Sequence, residues 1–191
     1  MKSARMLLIA ALTLLATGAF AQSEAQKTAA PPVQSDAQKS FEKMKTLAGA
    51  WQGPVSTDMK MDHDTGNKPI RVTLRITSRG NAMVHEMKEA GSPGDPTKYD
   101  NPVTMLYVDG DRLYLTHYCD AGNRPRMAGK ISPDGKTVEF DFVDVSGSTQ
   151  QGHMSHAVFT FVDANHHTED WVYLMPGDKP VHGHMDLQRA N

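Results

Sequence analysis

The sequence predicts an all-β protein, an antiparallel up-and-down barrel of about ten strands with one short N-terminal helix. From Trp51 onward apolar residues recur with a period of two, as in strands that bury one face. Turn-forming residues recur roughly every eight to twelve positions, which is typical of an antiparallel meander. An open ribbon of ten strands would leave unpaired edges, and closure into a barrel removes them.

One amphipathic helix is expected before the strands. Ser35 and Gln38 have the spacing of a capping box, in which each side chain bonds the backbone N–H of the other residue. An apolar stripe at helical spacing follows and stops at Gly49. Its members are Phe41, Met44, Leu47 and Ala48.

Ten strands follow from the alternation and from turn residues such as Asp109-Gly110 and Pro133-Asp134-Gly135. They are predicted at residues 51–58, 71–77, 83–88, 104–108, 112–119, 126–131, 137–143, 155–162, 168–174 and 181–187. A barrel of this strand number is wide enough to leave an internal cavity. The longest irregular segment, from Glu89 to Asn101, is expected to lie over a barrel mouth.

The first residues indicate export. Lys2 and Arg5 precede an apolar run, and Ala19-Phe20-Ala21 is a small-x-small cleavage site. No cysteine follows the cleavage site to take a lipid, and no later stretch reaches the roughly 20 apolar residues that a membrane span needs. We therefore expect a periplasmic or secreted protein without a membrane span.

The chain divides into three predicted segments. Residues 1–21 form the signal peptide, residues 22–34 a flexible leader, and residues 35–191 a single barrel domain. The 20 Lys and Arg and 22 Asp and Glu residues offer no electrostatic footprint for nucleic acid. Because the chain has a single cysteine, the domain depends on a packed core rather than on disulfides, and Cys119 is expected to be buried.

The segment "LAGAWQGP", Leu47 to Pro54, resembles the Gly-x-Trp opening of the calycin superfamily, which includes the lipocalins. That resemblance implies that Trp51 closes the base of the barrel. Together with "THYCDAGNRPRM", residues 116–127, it resembles a family of exported bacterial lipocalin-like proteins of uncharacterised function. Gly49, Trp51 and Gly53 more distantly resemble nitrobindin-like barrels, whose haem needs a proximal histidine.

The segment at residues 116–127 is the candidate ligand-binding hairpin. If residues 120–123 form its turn, with Gly122-Asn123 in left-handed conformations, His117 pairs with Arg126 and Cys119 with Arg124. Pointed inward, this face would form a cationic clamp over an apolar cavity, suited to an anionic amphiphile. The expected ligand contacts are His117, Tyr118, Asn123, Arg124 and Arg126.

Two alternatives remain open for this hairpin. The arginines can point outward while the tyrosine-rich face packs inside, since charged residues are seldom buried without partners. A slip of one residue in the turn would instead bring His117 onto the same face as Met127.

Other sites of potential chemistry are less specific. His117 and Cys119 share a face but lack an orienting group and an oxyanion hole, so an enzyme is not favoured and no catalytic residue is assigned. His182-x-His184-x-Asp186 has metal-competent spacing and supplies candidate haem ligands. Val181, Met185 and Leu187 occupy the opposite face, however, so alternation directs the histidines to solvent.

The sequence therefore predicts an exported barrel that binds a small apolar or anionic, amphipathic molecule. The alternative is a nitrobindin-like haem- or metal-binding redox barrel, and a third hypothesis is an interaction module without a ligand. The cofactor, the oligomeric state and the physiological role are not specified by the sequence.

Overall fold

The computed structural model describes residues 34–58, 69–92 and 94–190, so the predicted signal peptide and nearly all of the predicted leader lie outside the described residues. The described residues form one α-helix, one short 3-10 helix at Ser78–Gly80 and eleven strand segments. These are α1 Asp36–Lys45, β1 Gly49–Gly53, β2 Val55–Thr57, β3 Ile70–Thr77, β4 Ala82–Glu89, β5 Val103–Asp109, β6 Arg112–Tyr118, β7 Arg124–Ile131, β8 Thr137–Ser146, β9 His153–Asp163, β10 His166–Met175 and β11 Lys179–Arg189.

The strands close into a ten-stranded antiparallel barrel, as the sequence predicts. From β3 to β11 each strand pairs with the next along the chain, and β1 pairs with both β3 and β11. Both β1 and β2 pair with β11, so they are two halves of one strand interrupted at Pro54. Proline lacks the N–H that a continuous ladder would use there.

Helix α1 covers one end of this barrel. The predicted capping box is present, with Gln38 N donating to Ser35 Oγ over 3.2 Å and Ser35 N donating to Gln38 Oε1 over 3.0 Å. Phe41 and Met44 are buried in the barrel core. The Ser40 hydroxyl accepts the backbone N–H of Ile131 at 3.2 Å, which ties the helix to the end of β7.

Trp51 seals the same end, which we call the closed end. Its side chain is fully buried, and its indole N–H donates to the Leu47 carbonyl over 2.7 Å. The guanidinium of Arg189 lies 4.1 Å from the centre of the indole ring and donates to the Ala48 carbonyl. The contacts agree with a structural role for Trp51.

The opposite end, the mouth, is formed by the loops that follow β4, β6 and β8. Asn123 is buried there and donates to the Ser148 and Gly152 carbonyls over 2.8 and 2.7 Å. These bonds fasten the β6–β7 turn to the β8–β9 loop. The side chain therefore serves the loop structure.

The predicted register of the β6–β7 hairpin is wrong by one residue. Leu115 pairs with Met127 and Thr116 with Arg126. Only Gly122 of the turn has positive φ, and Asn123 is turned inward to bind the neighbouring loop instead of completing a four-residue turn. This is the one-residue slip that the sequence leaves open, and it places His117 and Met127 together on the inner face.

The barrel wall is irregular on both sides of β8 near the mouth. On the β7 side, the register shifts between Arg126 and Met127, as in a β-bulge. β8 pairs with β9 only over Thr137–Asp141, and beyond this its pairing is with β7. The side of the barrel is therefore less tightly closed at the mouth than at the helix.

In the described part of the chain, the structure contains no helix of the length and apolar character needed to cross a membrane.

Candidate functional site

Six side chains, most of them polar, fill the middle of the barrel, and we call them the lumen cluster. They come from four strands and have at most 5% of their surface exposed. The members are His85 on β4, Thr104 on β5, His117 on β6, and His167, Glu169 and Trp171 on β10. The three β10 residues alternate along the strand, so all three point inward.

Glu169 is the centre of this cluster. Its carboxylate accepts hydrogen bonds from His85 Nε2 at 2.9 Å, from His167 Nε2 at 3.0 Å and from the Trp171 indole N–H at 3.0 Å. Several strands separate β4 from β10 in both directions around the barrel, so the His85 contact crosses the lumen. The cluster thus forms a floor below the mouth.

The same donors keep Glu169 ionised. Burial by itself would raise the pKa of this carboxyl, but the charge of His85 and the hydrogen bonds from His167 and His85 hold it well below its ordinary value. An ionised carboxylate only accepts hydrogen bonds, so both histidines donate to it through Nε2.

His117 is the member of the lumen cluster that lines the mouth cavity. Its Nδ1 is 2.9 Å from the hydroxyl oxygen of Thr104, and its ring centre is 5.7 Å from that of Trp171. Burial, with a contribution from the charge of His85, lowers the pKa of His117 to about 4. The imidazole is therefore neutral near physiological pH.

Above His117 lies the mouth cavity, a solvent-accessible pocket of about 490 Å³. Three methionines from different strands give it an apolar surface, and polar side chains from two loops and a turn complete it. The lining residues are Met87, Asp100, Pro102, His117, Cys119, Asp120, Ala121, Gln151, Met154, Tyr173 and Met175. The predicted internal cavity is thus confined to the mouth half of the barrel.

The polar part of the cavity is acidic. Ligand atoms of Asp100, Cys119 and Asp120 lie within 4.8 Å of one another. Partial burial and the charge of Asp120 raise the pKa of Asp100, and burial and the two carboxylates raise the pKa of the Cys119 thiol. Cys119 is half-buried and protonated at neutral pH, which does not favour it as a nucleophile.

The structure brings only one of the five predicted contacts, His117, into this cavity. Tyr118 and Arg124 are exposed, and Arg126 lies on the outer wall, where its Nε donates to Asp144 over 3.2 Å. The predicted cationic clamp is therefore not formed, because the observed register puts the arginines and His117 on opposite faces of the sheet.

The histidines of β11 lie on the outer face, as alternation predicts. His182 and His184 are exposed, whereas Met185 and Leu187 are buried. His184 Nδ1 bonds the Asp170 carboxylate at 2.6 Å. These two candidate haem ligands do not reach the lumen.

Of the lumen cluster, only His117 is identified from the sequence. The signal was present in two alternating triplets, Met83-x-His85-x-Met87 and His167-x-Glu169-x-Trp171. Each has polar and apolar side chains on one face of a strand. If polar strand residues are assumed to face solvent, this pattern goes unnoticed. His85 and Glu169 are also 84 residues apart, so no local pattern shows that they meet.

The fold and the site together define a closed ten-stranded barrel with a buried polar floor and an open cavity above it. No family model and no curated protein matches the sequence. Among solved structures, the chain is similar to Rv2717c from M. tuberculosis, with a TM-score of 0.56 and 12% identity over 80% of this chain and 98% of that chain.

A second solved structure belongs to a protein of unknown function from the DUF3598 family of Nostoc punctiforme. The TM-score is 0.41 and the identity 8%, over 77% of this chain and 48% of that one. The similarity to Rv2717c shows a shared barrel fold and carries no activity to this chain.

Proposed function

We propose that this protein is an exported, lipocalin-like barrel, periplasmic or secreted, that binds a small apolar or amphipathic molecule in the mouth cavity. The observation that carries the proposal is the cavity of about 490 Å³ above a buried polar floor. Its size falls within the range of small-molecule sites, about 300–1,000 Å³, and it combines apolar lining with a few polar groups. The export pattern at Lys2 and Arg5 supports the location.

The methionines support an apolar ligand of adaptable shape. Met87, Met154 and Met175 reach the cavity from β4, β9 and β10. Methionine is flexible and polarisable, so it fits irregular ligands without a fixed complementary surface. The lumen cluster blocks the space below, so the ligand occupies the mouth half of the barrel alone.

The charge of the site favours a neutral or cationic ligand over the anionic amphiphile expected from the sequence. Asp100 and Asp120 line the cavity. Arg124 and Arg126, which the sequence predicts as anion-binding residues, lie outside it. Like charges brought together cost free energy, which penalises an anion at this opening.

The proposal is tested with two fluorescent probes of similar shape, neutral N-phenylnaphthylamine and anionic anilinonaphthalene sulfonate. We expect the neutral probe to bind more tightly. Met154→Trp should fill the cavity and abolish binding, whereas Val162→Trp, a matched change at a side chain that is 53% exposed, should not. A melting temperature for each variant verifies folding. Tighter binding of the anion, or unchanged binding to folded Met154→Trp, would contradict the proposal.

For the haem- or metal-binding alternative, the imidazole closest to hand is that of His117, which is buried at the cavity. A metal ligand must present an unprotonated nitrogen. If the Thr104 hydroxyl donates to Nδ1 of His117, that unprotonated nitrogen is already occupied, and His117 does not fit this role. An absorbance spectrum of protein purified from its own cell compartment, with a Soret band lost in His117→Ala, would reverse this assignment.

A further inference from the structure

We infer that the buried hydroxyl of Thr104 fixes His117 in the tautomer that carries its proton on Nε2, so that His117 donates a hydrogen bond to an oxygen of the ligand. The second half of this inference rests on the proposed function. The donor role restricts the class of ligand to apolar molecules that bear an uncharged acceptor, such as a carbonyl, ether or hydroxyl oxygen.

The first step is the hydroxyl hydrogen of Thr104. The side chain is fully buried between β4 and β6, where water does not reach it. A buried hydroxyl donates its hydrogen to an acceptor in nearly every folded protein. Within the described residues, the structure gives the Thr104 hydroxyl one partner, His117 Nδ1 at 2.9 Å. Thr104 is therefore the donor, and Nδ1 carries a lone pair.

The second step is the proton of the imidazole. A charged histidine would carry protons on both nitrogens and leave the Thr104 hydrogen without an acceptor. Since Nδ1 accepts, the single proton of the neutral ring is on Nε2. The burial of His117, which is 1% exposed, independently disfavours the charged form.

The third step is the destination of that N–H. No described residue pairs with Nε2 of His117, and the side chain lines the mouth cavity. Because Nδ1 is held by Thr104, Nε2 is the polar atom that His117 can offer to the cavity. Nε2 is not fully buried, so an acceptor atom placed in the cavity can reach it and accept its hydrogen bond.

Thr104 acts here as a positioning residue that does not touch the ligand, and its role is measured without any ligand. Long-range proton–nitrogen-15 NMR reports which imidazole nitrogen is protonated, and His117→Gln assigns the signal. We expect His117 to carry its proton on Nε2 near neutral pH and Thr104→Val to yield a mixture of tautomers. The matched control Thr116→Val, on the outer wall, should leave the signal unchanged. A proton on Nδ1 in the wild type would overturn the inference.

The donor role is measured with two probes of the same shape, acetylnaphthalene and ethylnaphthalene, of which only the first has an acceptor oxygen. We expect the wild type to prefer the ketone by roughly fivefold, the factor that one hydrogen bond of about 1 kcal/mol supplies. His117→Phe should abolish this preference while it still binds ethylnaphthalene, and Thr104→Val should reduce it. Equal binding of both probes to the wild type overturns the donor role alone, whereas binding of neither overturns the donor role and the proposed function together.

Discussion

The two ends of the barrel differ in the burial of their side chains and in the hydrogen bonding of their polar groups. At the closed end, the Trp51 indole is fully buried, its N–H is bonded to Leu47, and Arg189 stacks on its ring. At the mouth, Met154, Tyr173 and Met175 retain exposed surface, and Nε2 of His117 has no described partner. The closed end is packed for stability, and the mouth holds the open cavity that we propose as the binding site.

Between the two ends, the lumen cluster separates these tasks. Glu169 holds His85, His167 and Trp171 in one hydrogen-bonded unit that crosses the barrel. The cluster therefore separates the mouth cavity, where we propose that the ligand binds, from the apolar core. This separation leads to predictions that distinguish the two ends.

The largest effect is expected at the closed end. Trp51→Ala removes a fully buried side chain and should lower the free energy of unfolding by about 4–5 kcal/mol. Met175→Ala at the mouth, where the side chain is 37% exposed, should cost less than about 1 kcal/mol. Urea unfolding of both variants measures the difference. Similar losses at the two positions would remove the contrast between the ends.

The floor should be almost as sensitive. Glu169→Gln keeps the size of the side chain but replaces a carboxylate that accepts three hydrogen bonds, and a loss of about 3–4 kcal/mol is expected. Glu139→Gln, at an exposed position on the outer wall, is the control. An effect no larger than that of the control would show that the cluster does not hold the barrel together.

Acid should weaken the fold through His117. Its pKa is about 4 in the folded protein against 6.5 ordinarily, so below pH 6.5 the unfolded chain binds a proton that the folded protein does not. Stability should therefore fall as the pH drops from 6.5 towards 4, by roughly 3 kcal/mol for this group. His117→Gln should reduce the slope of unfolding free energy against pH between pH 6.5 and 4. An unchanged slope in His117→Gln would refute this origin.

The smallest effect is expected on the outer wall. Arg126→Ala breaks an exposed pair with Asp144, and exposed pairs contribute little to stability. Because Arg126 faces away from the cavity, the affinity for N-phenylnaphthylamine should stay within about twofold of the wild-type value. A large loss of affinity would restore the cationic clamp expected from the sequence.

The strands, turns and helix cap could be predicted because they depend on local patterns. Alternation and turn residues such as Asp109-Gly110 act over a few residues, and the structure has strands at each predicted place. The β6–β7 register could not be predicted because Asn123 bonds a loop that lies 25 and 29 residues further along the chain. Tertiary contacts of this kind decide a one-residue shift, and that shift reverses which side chains face the lumen.

The cavity was predicted from the strand number, and one of its residues, His117, from the hairpin. Its floor was not predicted, since His85 and Glu169 meet only after the barrel closes. A polar side chain on a strand faces solvent in most proteins, so polarity favours the wrong face for these two residues, although alternation groups them with Met83 and Trp171. Their burial depends on mutual hydrogen bonding, which no local pattern encodes.

The most direct test of a binding mouth and a closed base is methyl NMR of methionines labelled with carbon-13, titrated with acetylnaphthalene. Met87, Met154 and Met175 line the cavity, while Met44 and Met83 are fully buried in the core. We predict saturable shifts for the three mouth methyl groups and unchanged positions for the two core groups. Saturable shifts at Met44 or Met83 with none at the mouth would contradict the account, because the ligand would then bind at the other end of the barrel.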